Sequence, residues 1–351
     1  MATPPPPPPA TVPDRADVVV VGAGLAGLVA ARTIQATGLD AVVLEASDAP
    51  GGRVRTDAVD GFLLDRGFQV LLTAYPELRR HVDLQALDLR PFEPGAMVWR
   101  GRRGWVVSDP FRRPHLAPST AIAPIGGLAD KLRIAVLRSR VLRADPPAAL
   151  LGGHDISTAT ALRGFGFSRD AIERFFRPLF GGIQLDPTLA TSRRMFDIIF
   201  RSLAEGDSAL PARGMRALPD QLAAGLRPGS LHLGAAVDAV APGRVSIVGG
   251  GTVAARAVVV ATEGPSAAAL LGLPEVASRT VSCAYFDADE PPVRGRYVVL
   301  DGTGRGPVLN AAVLSAVAPS YAPKGRHLVV AALPGRLDGD VETLARRQLR
   351  G

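Results

Sequence analysis

The pattern of apolar and polar positions at the start of the chain predicts a strand, a tight turn and a helix. Asp17–Val21 ends in four valines, a run typical of a buried parallel strand. Gly22–Gly27 (GAGLAG) follows at once, and the next eleven residues, 28–38, carry apolar positions at helical spacing as far as Gly38. Ala41–Leu44 is a second predicted strand. The order strand, helix, strand indicates an α/β fold with a parallel sheet.

Further along the chain, short apolar runs between turns predict more strands. The clearest is Arg256–Thr262, whose valines indicate another buried strand like Asp17–Val21. Because both runs have the composition of buried parallel strands, we expect them to belong to one sheet although they lie far apart in sequence. The other predicted elements are hairpins at Trp99–Trp105 and Gly243–Ala254, a strand and turn at Leu231–Val240, and a mixed sheet from Thr280–Ala288 and Arg296–Val330.

The glycine turn between the first strand and helix has the spacing of a dinucleotide-binding motif. Gly22 would make the turn, Gly24 would let a pyrophosphate approach the backbone, and Gly27 would let the helix pack close to the strand. The free N–H groups and partial positive charge at the helix N-terminus suit a diphosphate. Glu45 follows Gly27 at close to the roughly 20-residue spacing of the acid that binds ribose hydroxyls. A purely structural glycine turn is the alternative, and the acid in register favours cofactor binding.

A second glycine turn follows the acid and bears on which dinucleotide would bind. Gly51 and Gly52 are followed by Arg53. The backbone N–H groups of this turn and the Arg53 charge could contact the same diphosphate or the edge of a flavin. A nicotinamide-binding domain would continue into another helix and strand at this point. The second turn therefore argues against an NAD(P)-dependent dehydrogenase, which is kept as an alternative.

The composition adds positive charge but no nucleic-acid signature. The chain has 40 Lys and Arg residues against 33 Asp and Glu residues, a formal charge of +7, and its only lysines are Lys131 and Lys324. A basic chain can attract nucleic acid or an anionic membrane. The arginines are dispersed among acids, and no arginine-aromatic binding motif accompanies them, so we expect no nucleic-acid partner.

Cysteine and histidine usage bears on disulfides and metals. The single cysteine, Cys283, permits no disulfide framework and no cysteine metal site within one chain. The five histidines are scattered without metal-ligand spacing, so we expect no metal. Cys283 has no evident histidine partner in sequence and is predicted to be a core residue rather than a nucleophile.

The N-terminal residues and the overall hydropathy bear on location. Residues 1–15 form a proline-rich tract that predicts a disordered tail. Because no apolar segment follows this tract, we expect no secretory signal of the usual type. No apolar run reaches the ~18 residues that a membrane span needs. We therefore expect a cytoplasmic protein, with peripheral membrane association left open.

Three runs carry a resemblance to a known family: VVVVGAGLAGLVAA, VVLEASDAPGGRVRT and GFLLDRGFQVLLTAYPEL. They resemble the superfamily of FAD-dependent amine oxidases and phytoene desaturase-like flavoproteins. The resemblance implies FAD as the cofactor. It also implies a doubly wound, glutathione-reductase-like α/β FAD-binding domain with an inserted mixed-sheet and helical substrate domain. It covers most of residues 16–351.

The resemblance also assigns roles to particular segments. Gly61–Gly67 is similar to the family loop that passes near the isoalloxazine ring. Phe175–Leu226 is similar to the helical substrate-domain segment and the return to the FAD domain, although Arg213 stands where the family has a glycine. Val237 matches the valine whose backbone meets the adenine. The predicted cofactor-binding residues are Gly22, Gly24, Gly27, Glu45, Gly51, Gly52, Arg53 and Val237.

The resemblance implies that the chain alternates between two domains. The FAD-binding domain would comprise residues 16–75 and 211–275, and the substrate domain residues 76–210 and 276–351. Family members close the FAD site with a C-terminal Gly-Asp turn and a glycine-rich helix start. The chain reaches Leu344–Gly351, a predicted helix, before any such motif. We therefore expect a shortened product that lacks this segment and holds FAD weakly.

The chemistry that the resemblance implies is hydride transfer from an apolar or amine substrate to N5 of the flavin. Many amine oxidases of the family use a substrate-domain lysine, but the corresponding Arg279–Phe286 has none. An apolar-substrate dehydrogenase or desaturase is then comparably supported, with a lipophilic small molecule as substrate and peripheral membrane contact. No catalytic residue or oligomeric state is assigned, and a truncated, flavin-free remnant without activity is a further alternative.

Overall fold

The computed structural model describes residues 11–101, 103–144, 152, 154–335 and 339–350. The first ten residues of the predicted proline-rich tail, and Arg102 at the tip of the predicted Trp99–Trp105 hairpin, lie outside these described residues. None of the described helices is long and apolar enough to cross a membrane.

The secondary structure follows the predicted order of strands and helices. The strands are β1 (Arg15–Val21), β2 (Ala41–Leu44), β3 (Thr56–Val59), β4 (Phe62–Asp65), β5 (Leu71–Leu72), β6 (Leu89–Pro91), β7 (Ala96–Arg100), β8 (Arg103–Val107), β9 (Ser208–Pro211), β10 (Leu231–His232), β11 (Val237–Ala241), β12 (Arg244–Ile247), β13 (Thr252–Val260), β14 (Val281–Ala288), β15 (Val298–Asp301), β16 (Asn310–Val313) and β17 (His327–Pro334). The α-helices are Leu25–Ala36, Pro76–His81, Ala117–Ile122, Leu128–Arg143, Thr158–Gly164, Arg169–Ala171, Arg193–Glu205, Ala217–Ala224, Gly264–Leu271, Leu314–Val317 and Val341–Leu349. Ile172–Gly181 is π-helical, and Pro114–Leu116 and Pro319–Tyr321 are 3₁₀ turns.

The chain divides into two compact units, each built from separated segments. The first unit comprises Met1–Thr56, His81–Asp83 and Met215–Ser278, and the second comprises Asp57–Arg80, Leu84–Gly214 and Arg279–Gly351. The chain passes from the first unit to the second after Thr56 and returns to the first at Met215. The corresponding domain boundaries predicted from the sequence are residues 75 and 211. The assignment of FAD-binding and substrate domains to these residues stays a prediction.

The first unit contains a six-stranded sheet in the order β10-β2-β1-β13-β12-β11. Strands β10, β2, β1 and β13 run parallel, and β11 and β12 form an antiparallel extension. Val19 and Val20 of β1 and all four residues of β2 are buried, which explains their uninterrupted apolar runs. The prediction that Asp17–Val21 and the Arg256–Thr262 run lie in one sheet is confirmed, because Val18 to Val21 pair in parallel with Ala257 to Val260. The prediction that the second run is buried is wrong, since its residues are exposed or half-buried.

The second unit contains a mixed six-stranded sheet in the order β14-β17-β16-β15-β7-β8. Only β15 and β7 pair in parallel among these strands. The predicted mixed sheet of the C-terminal half and the predicted hairpin β7–β8 are therefore both confirmed. Smaller sheets pair β3 with β4 and place β9 between β5 and β6.

An aromatic cluster forms the main core of the second unit. Phe176, Phe180 and Phe196 are at most 1% exposed. The Phe180 and Phe196 ring centroids lie 4.4 Å apart, and those of Phe167 and Phe176 lie 4.7 Å apart with edge-to-face geometry. Since Phe176 and Phe180 belong to the π-helical segment and Phe196 to the helix Arg193–Glu205, the cluster packs these two elements against each other.

A substitution at Gly27 tests the close packing of the helix Leu25–Ala36 against the glycine turn at Gly22. An added Cβ at Gly27 would lie 1.9 Å from the Gly22 carbonyl oxygen. We expect Gly27→Ala to lower stability by about 1–3 kcal/mol or more, because the backbone must shift to relieve this overlap. The measurement is the midpoint of thermal unfolding. Gly164→Ala is the matched control, since that helical glycine has no atom within 4 Å of an added Cβ.

Candidate cofactor and substrate sites

The first glycine turn presents bare backbone at the N-terminus of a helix. Gly22 has φ +99°, which favours glycine, and its N–H donates to the Leu44 carbonyl at 2.8 Å. Gly24 is the N-cap residue of the helix Leu25–Ala36, with an extended φ of −66° that any residue could adopt. A Cβ at Gly24 would meet no atom within 4 Å. Neither strain nor packing within the described chain therefore requires glycine at this position, whereas a ligand against the backbone would.

Glu45 lies at the carboxyl end of β2 and ties this turn to the next. The residue is 9% exposed. Its Oε2 accepts a hydrogen bond from the Ala23 N–H at 2.6 Å, and its Oε1 accepts from the N–H and Oγ of Ser47 at 2.9 and 2.7 Å. A carboxylate can accept about four hydrogen bonds, so these three contacts orient the group and leave about one acceptor site for a ribose hydroxyl. The internal contacts were not predicted from the sequence.

The second glycine turn packs against the first. Gly51 and Gly24 form a parallel β-bridge, and the Gly51 N–H donates to the Ala23 carbonyl at 2.8 Å. A Cβ on Gly52 would lie 3.5 Å from the Gly24 Cα. The structure thus brings the two predicted glycine clusters together. Arg53 follows with an exposed side chain beside this contact.

The segment that leads to Val237 runs beside Glu45. Strand β10 pairs in parallel with β2, and the Ala235 N–H donates to the Glu45 carbonyl at 2.8 Å. Val237 then begins β11, where it pairs with Ile247 next to an irregularity in the register. Gly22, Gly24, Glu45, Gly51 and Gly52 therefore form one cradle, with Arg53 and Val237 at its borders. Gly27 lies behind the turn as a packing residue, and cofactor binding by all eight residues stays a prediction.

The cradle fits the diphosphate and ribose of a dinucleotide. It offers the N-terminus of a twelve-residue helix and main-chain groups that no side chain covers at Gly24. A buried carboxylate stands beside it at Glu45. This combination of free backbone, helix dipole and acid is the one that dinucleotide recognition uses in doubly wound folds.

In the second unit, a buried polar network anchors the loop that the resemblance places near the flavin ring. Asp65, at the end of β4, is 2% exposed and its Oδ2 accepts from the Tyr321 hydroxyl at 2.8 Å. The Tyr285 hydroxyl donates to the Asp65 carbonyl. Burial, together with the nearby carboxylate, raises the pKa of both tyrosines above the ordinary value. Both hydroxyls therefore stay protonated at neutral pH and hold the loop as donors.

Cys283 contributes to the same anchor and is chemically quiet. Its Sγ accepts a hydrogen bond from the Phe68 N–H at 3.1 Å. Burial raises the pKa of the Cys283 thiol, so the neutral form dominates at physiological pH. A protonated, partly buried thiol is a poor nucleophile, in agreement with a structural role.

A largely apolar cavity lies within the second unit. Its volume is about 490 Å³, in the range of small-molecule sites. Its apolar lining comes from separate stretches of the chain and includes Phe68, Phe92, Leu132, Phe175, Phe200 and Val281. The sequence alone did not identify most of the residues that line this cavity. The indirect signal for the cavity was a set of apolar residues on the helix Leu128–Arg143. Leu128 and Leu132 of this helix are 69% and 60% exposed in the structure.

Asn310 adds a buried amide to the cavity lining. The residue is 5% exposed, and its Nδ2 donates to the Pro178 carbonyl of the π-helical segment at 3.1 Å. Its Oδ1 has no hydrogen-bond partner within the part of the chain that the structure describes. A buried acceptor left without a partner costs about 1–3 kcal/mol, a cost that proteins tend to concentrate at functional sites. A single amide at the start of the otherwise apolar strand β16 was the available signal.

Comparisons with known proteins agree with this picture. A family model described as flavin containing amine oxidoreductase matches residues 25–350. Putrescine oxidase from Kocuria rosea is 50% identical over 72 residues, which cover 20% of this chain and 15% of that protein. Chloroplastic protoporphyrinogen oxidase from Nicotiana tabacum is 27% identical over 199 residues, which cover 55% of this chain and 34% of that protein. The chain thus matches about a third or less of the length of these relatives.

A solved structure shows the same fold. An oxidoreductase from Methanosarcina mazei superposes with a TM-score of 0.67 at 18% identity, covering 95% of this chain and 81% of that one. The predicted fold class, a doubly wound FAD-binding domain with an inserted substrate domain, is confirmed. FAD rather than a nicotinamide cofactor is the cofactor that the family match supports.

Gly24 separates ligand binding from folding. We expect Gly24→Val to abolish detectable FAD binding, because its side chain would occupy the open space over the cradle, and to leave the unfolding midpoint unchanged. The measurement is the quenching of FAD fluorescence during titration with protein. Gly127→Val is the matched control, since Gly127 is also an extended N-cap glycine with no atom within 4 Å of an added Cβ. Normal FAD binding by Gly24→Val would show that the diphosphate lies elsewhere.

Proposed function

The chain belongs to the flavin containing amine oxidoreductases, and from this premise we propose that it is an FAD-dependent oxidoreductase that oxidises a lipophilic small molecule. The observation that carries the cofactor part is the cradle at Gly24, where bare backbone, a helix N-terminus and the Glu45 carboxylate converge. The observation that carries the substrate part is the apolar cavity of about 490 Å³ in the second unit.

The residues of the cradle would bind and orient the cofactor without taking part in the chemistry. The N–H groups at the start of the helix Leu25–Ala36 would present the partial positive charge of the helix N-terminus to the diphosphate. Ser47 donates two hydrogen bonds to Glu45, so the carboxylate would be held in position to accept from a ribose hydroxyl. When bound, FAD supplies the hydride acceptor, and the protein supplies position and surroundings.

The cavity would bind the substrate mainly by excluding water from apolar surface. Aromatic side chains such as Phe175 and Phe200 contribute large apolar area to its wall. Strand β14 carries no lysine, the residue that many amine oxidases of the family would place in this region. This favours oxidation of an apolar carbon, as in desaturases, over oxidation of a free amine.

Anaerobic flavin reduction tests the proposed function. We expect the protein to quench FAD fluorescence saturably, without displacement by excess NAD, because the second glycine turn and the family match point to a flavin. Added FAD should then lose its visible absorbance with a polyunsaturated or partly reduced lipophilic compound and keep it with putrescine. Bleaching by putrescine alone would favour amine oxidation. Displacement of FAD by NAD would overturn the choice of cofactor.

We also propose that the second unit contacts a membrane surface peripherally. Five apolar side chains, here called the apolar rim, stand at least 59% exposed: Phe111, Ile122, Leu128, Leu132 and Val136. Leu128, Leu132 and Val136 follow one another at helical i,i+4 spacing, and Phe111, Leu128 and Leu132 also line the cavity. Lys131 and Arg133 lie on the same helix, so an anionic lipid surface complements the apolar rim in both apolarity and charge.

Vesicle sedimentation tests this contact. Leu132→Asp should lower the partition onto vesicles of phosphatidylglycerol and phosphatidylcholine by roughly tenfold or more, because a leucine that would enter the membrane is replaced by a charged side chain. Leu273→Asp is the matched control, since Leu273 is 56% exposed and belongs to the first unit. Equal sedimentation of wild type and Leu132→Asp would contradict docking through the apolar rim.

A further inference from the structure

Charged side chains surround part of the apolar cavity. Three cations, Arg112, Lys131 and Arg138, and three carboxylates, Glu93, Asp109 and Asp207, belong to its lining. Equal numbers of opposite charge would leave the cavity neutral if they paired with one another. The pairing in the structure is different, and it leaves a surplus of positive charge.

Two of the lining cations are neutralised within the lining. Arg112 Nη2 lies 2.5 Å from Asp207 Oδ1, and Arg138 Nε lies 2.8 Å from Asp109 Oδ2. The Arg138 guanidinium also covers the ring of Phe111 at 4.7 Å from the centroid. These two arginines therefore have partners on the protein and are held in place.

The third lining carboxylate is paired with cations from outside the lining. Glu93 forms ion pairs with Arg113 and with Arg296, the latter at 3.2 Å. Its side chain is 15% exposed, so this carboxylate is largely enclosed by its two arginines. Glu93 is consequently not a partner for Lys131, and five cations meet three carboxylates in this region.

Lys131 carries one of the two surplus positive charges, and the other is shared by Arg113 and Arg296, which both pair with Glu93. The Lys131 Nζ donates to the Ala121 carbonyl, and no carboxylate lies within 4.0 Å of it among the described residues. The adjacent acid, Asp130, is 2% exposed and accepts instead from the Gly127 N–H and from the N–H and Oγ of Ser168. An ammonium group half-buried beside apolar surface, with only a carbonyl as partner, favours an anionic ligand.

We propose that the cavity binds an amphiphilic carboxylate, with the apolar tail in the cavity and the anionic head paired to Lys131. The inference rests on the proposed function and narrows its substrate class to lipophilic acids. Apolar walls contribute affinity in proportion to buried tail length. A charge-assisted hydrogen bond from the ammonium to the carboxylate fixes the direction in which the molecule lies. A cationic amine meets repulsion at the same place.

Isothermal titration with matched ligands tests the proposal in vesicle-free buffer, below the micellar concentration of each ligand. Decanoate should bind at least about tenfold more tightly than decylamine, and at least about tenfold more tightly than hexanoate, which has the same head and a shorter tail. Decylamine binding as tightly as decanoate would overturn the anionic preference. Equal affinities for decanoate and hexanoate would overturn the placement of the tail.

The lysine itself has a matched control in the same chain. Lys131→Met should weaken decanoate binding by about 10- to 100-fold, with unchanged binding of decanol and an unchanged unfolding midpoint. Lys131→Arg should keep most of the affinity. Lys324→Met removes the only other lysine, exposed in a turn of the second unit, and should bind decanoate as the wild type does. Wild-type affinity in Lys131→Met would overturn the proposal.

Two further measurements distinguish the proposed carboxylate site from the proposed membrane contact and from the proposed FAD site. If Lys131→Met loses sedimentation with anionic vesicles but keeps decanoate affinity, the lysine serves lipid headgroups and the cavity proposal fails. FAD titration of the same preparations reports on the cofactor independently. Normal FAD binding without decanoate preference would reject the substrate class alone, whereas absent FAD binding would reject the proposed function.

Discussion

The hydrogen bond between the Ala23 N–H and the Glu45 carboxylate is the contact on which the first unit depends. Ala23 lies inside the first glycine turn, and its carbonyl accepts from Gly51 of the second turn. The Glu45 carbonyl accepts from Ala235, which brings the segment before β11 to the same place. Three stretches distant in sequence therefore meet around one carboxylate. Loss of that group would loosen both turns at once, so Glu45 has a structural role besides the ligand-binding role proposed for it.

Local signals were sufficient to predict much of this arrangement from the sequence. The valines of β1, the glycine at φ +99° and the helix that follows are neighbours along the chain, and their periodicity decides their structure. The glycine run of the β12–β13 hairpin is a similar case. That β1 and β13 share one sheet was predictable because each ends in a run of valines, which is typical of parallel strands.

What the sequence did not reveal depends on contacts between distant residues. The inward hydrogen bonds of Glu45 arise because the chain turns back at Ser47, and no pattern of apolar positions encodes that turn. The cavity collects single residues from strands, loops and helices of the second unit, each unremarkable in its own segment. Lys131 illustrates the limit, since the sequence shows an acid next to it while the structure directs that acid to Ser168. Pairing of charges is a tertiary property.

A cradle made of main-chain groups also limits how many side chains the cofactor site must retain. At Gly24 any added atom would enter the open space over the proposed cofactor site, and at Gly27 it would strike the turn. The cavity is the opposite case, because side chains build its wall. Mutation can therefore alter what the second unit accepts while the nucleotide site persists, and a lineage can change substrate by drift in one unit. The fold is shared with the Methanosarcina mazei oxidoreductase at only 18% identity, so few identical side chains are needed to keep it.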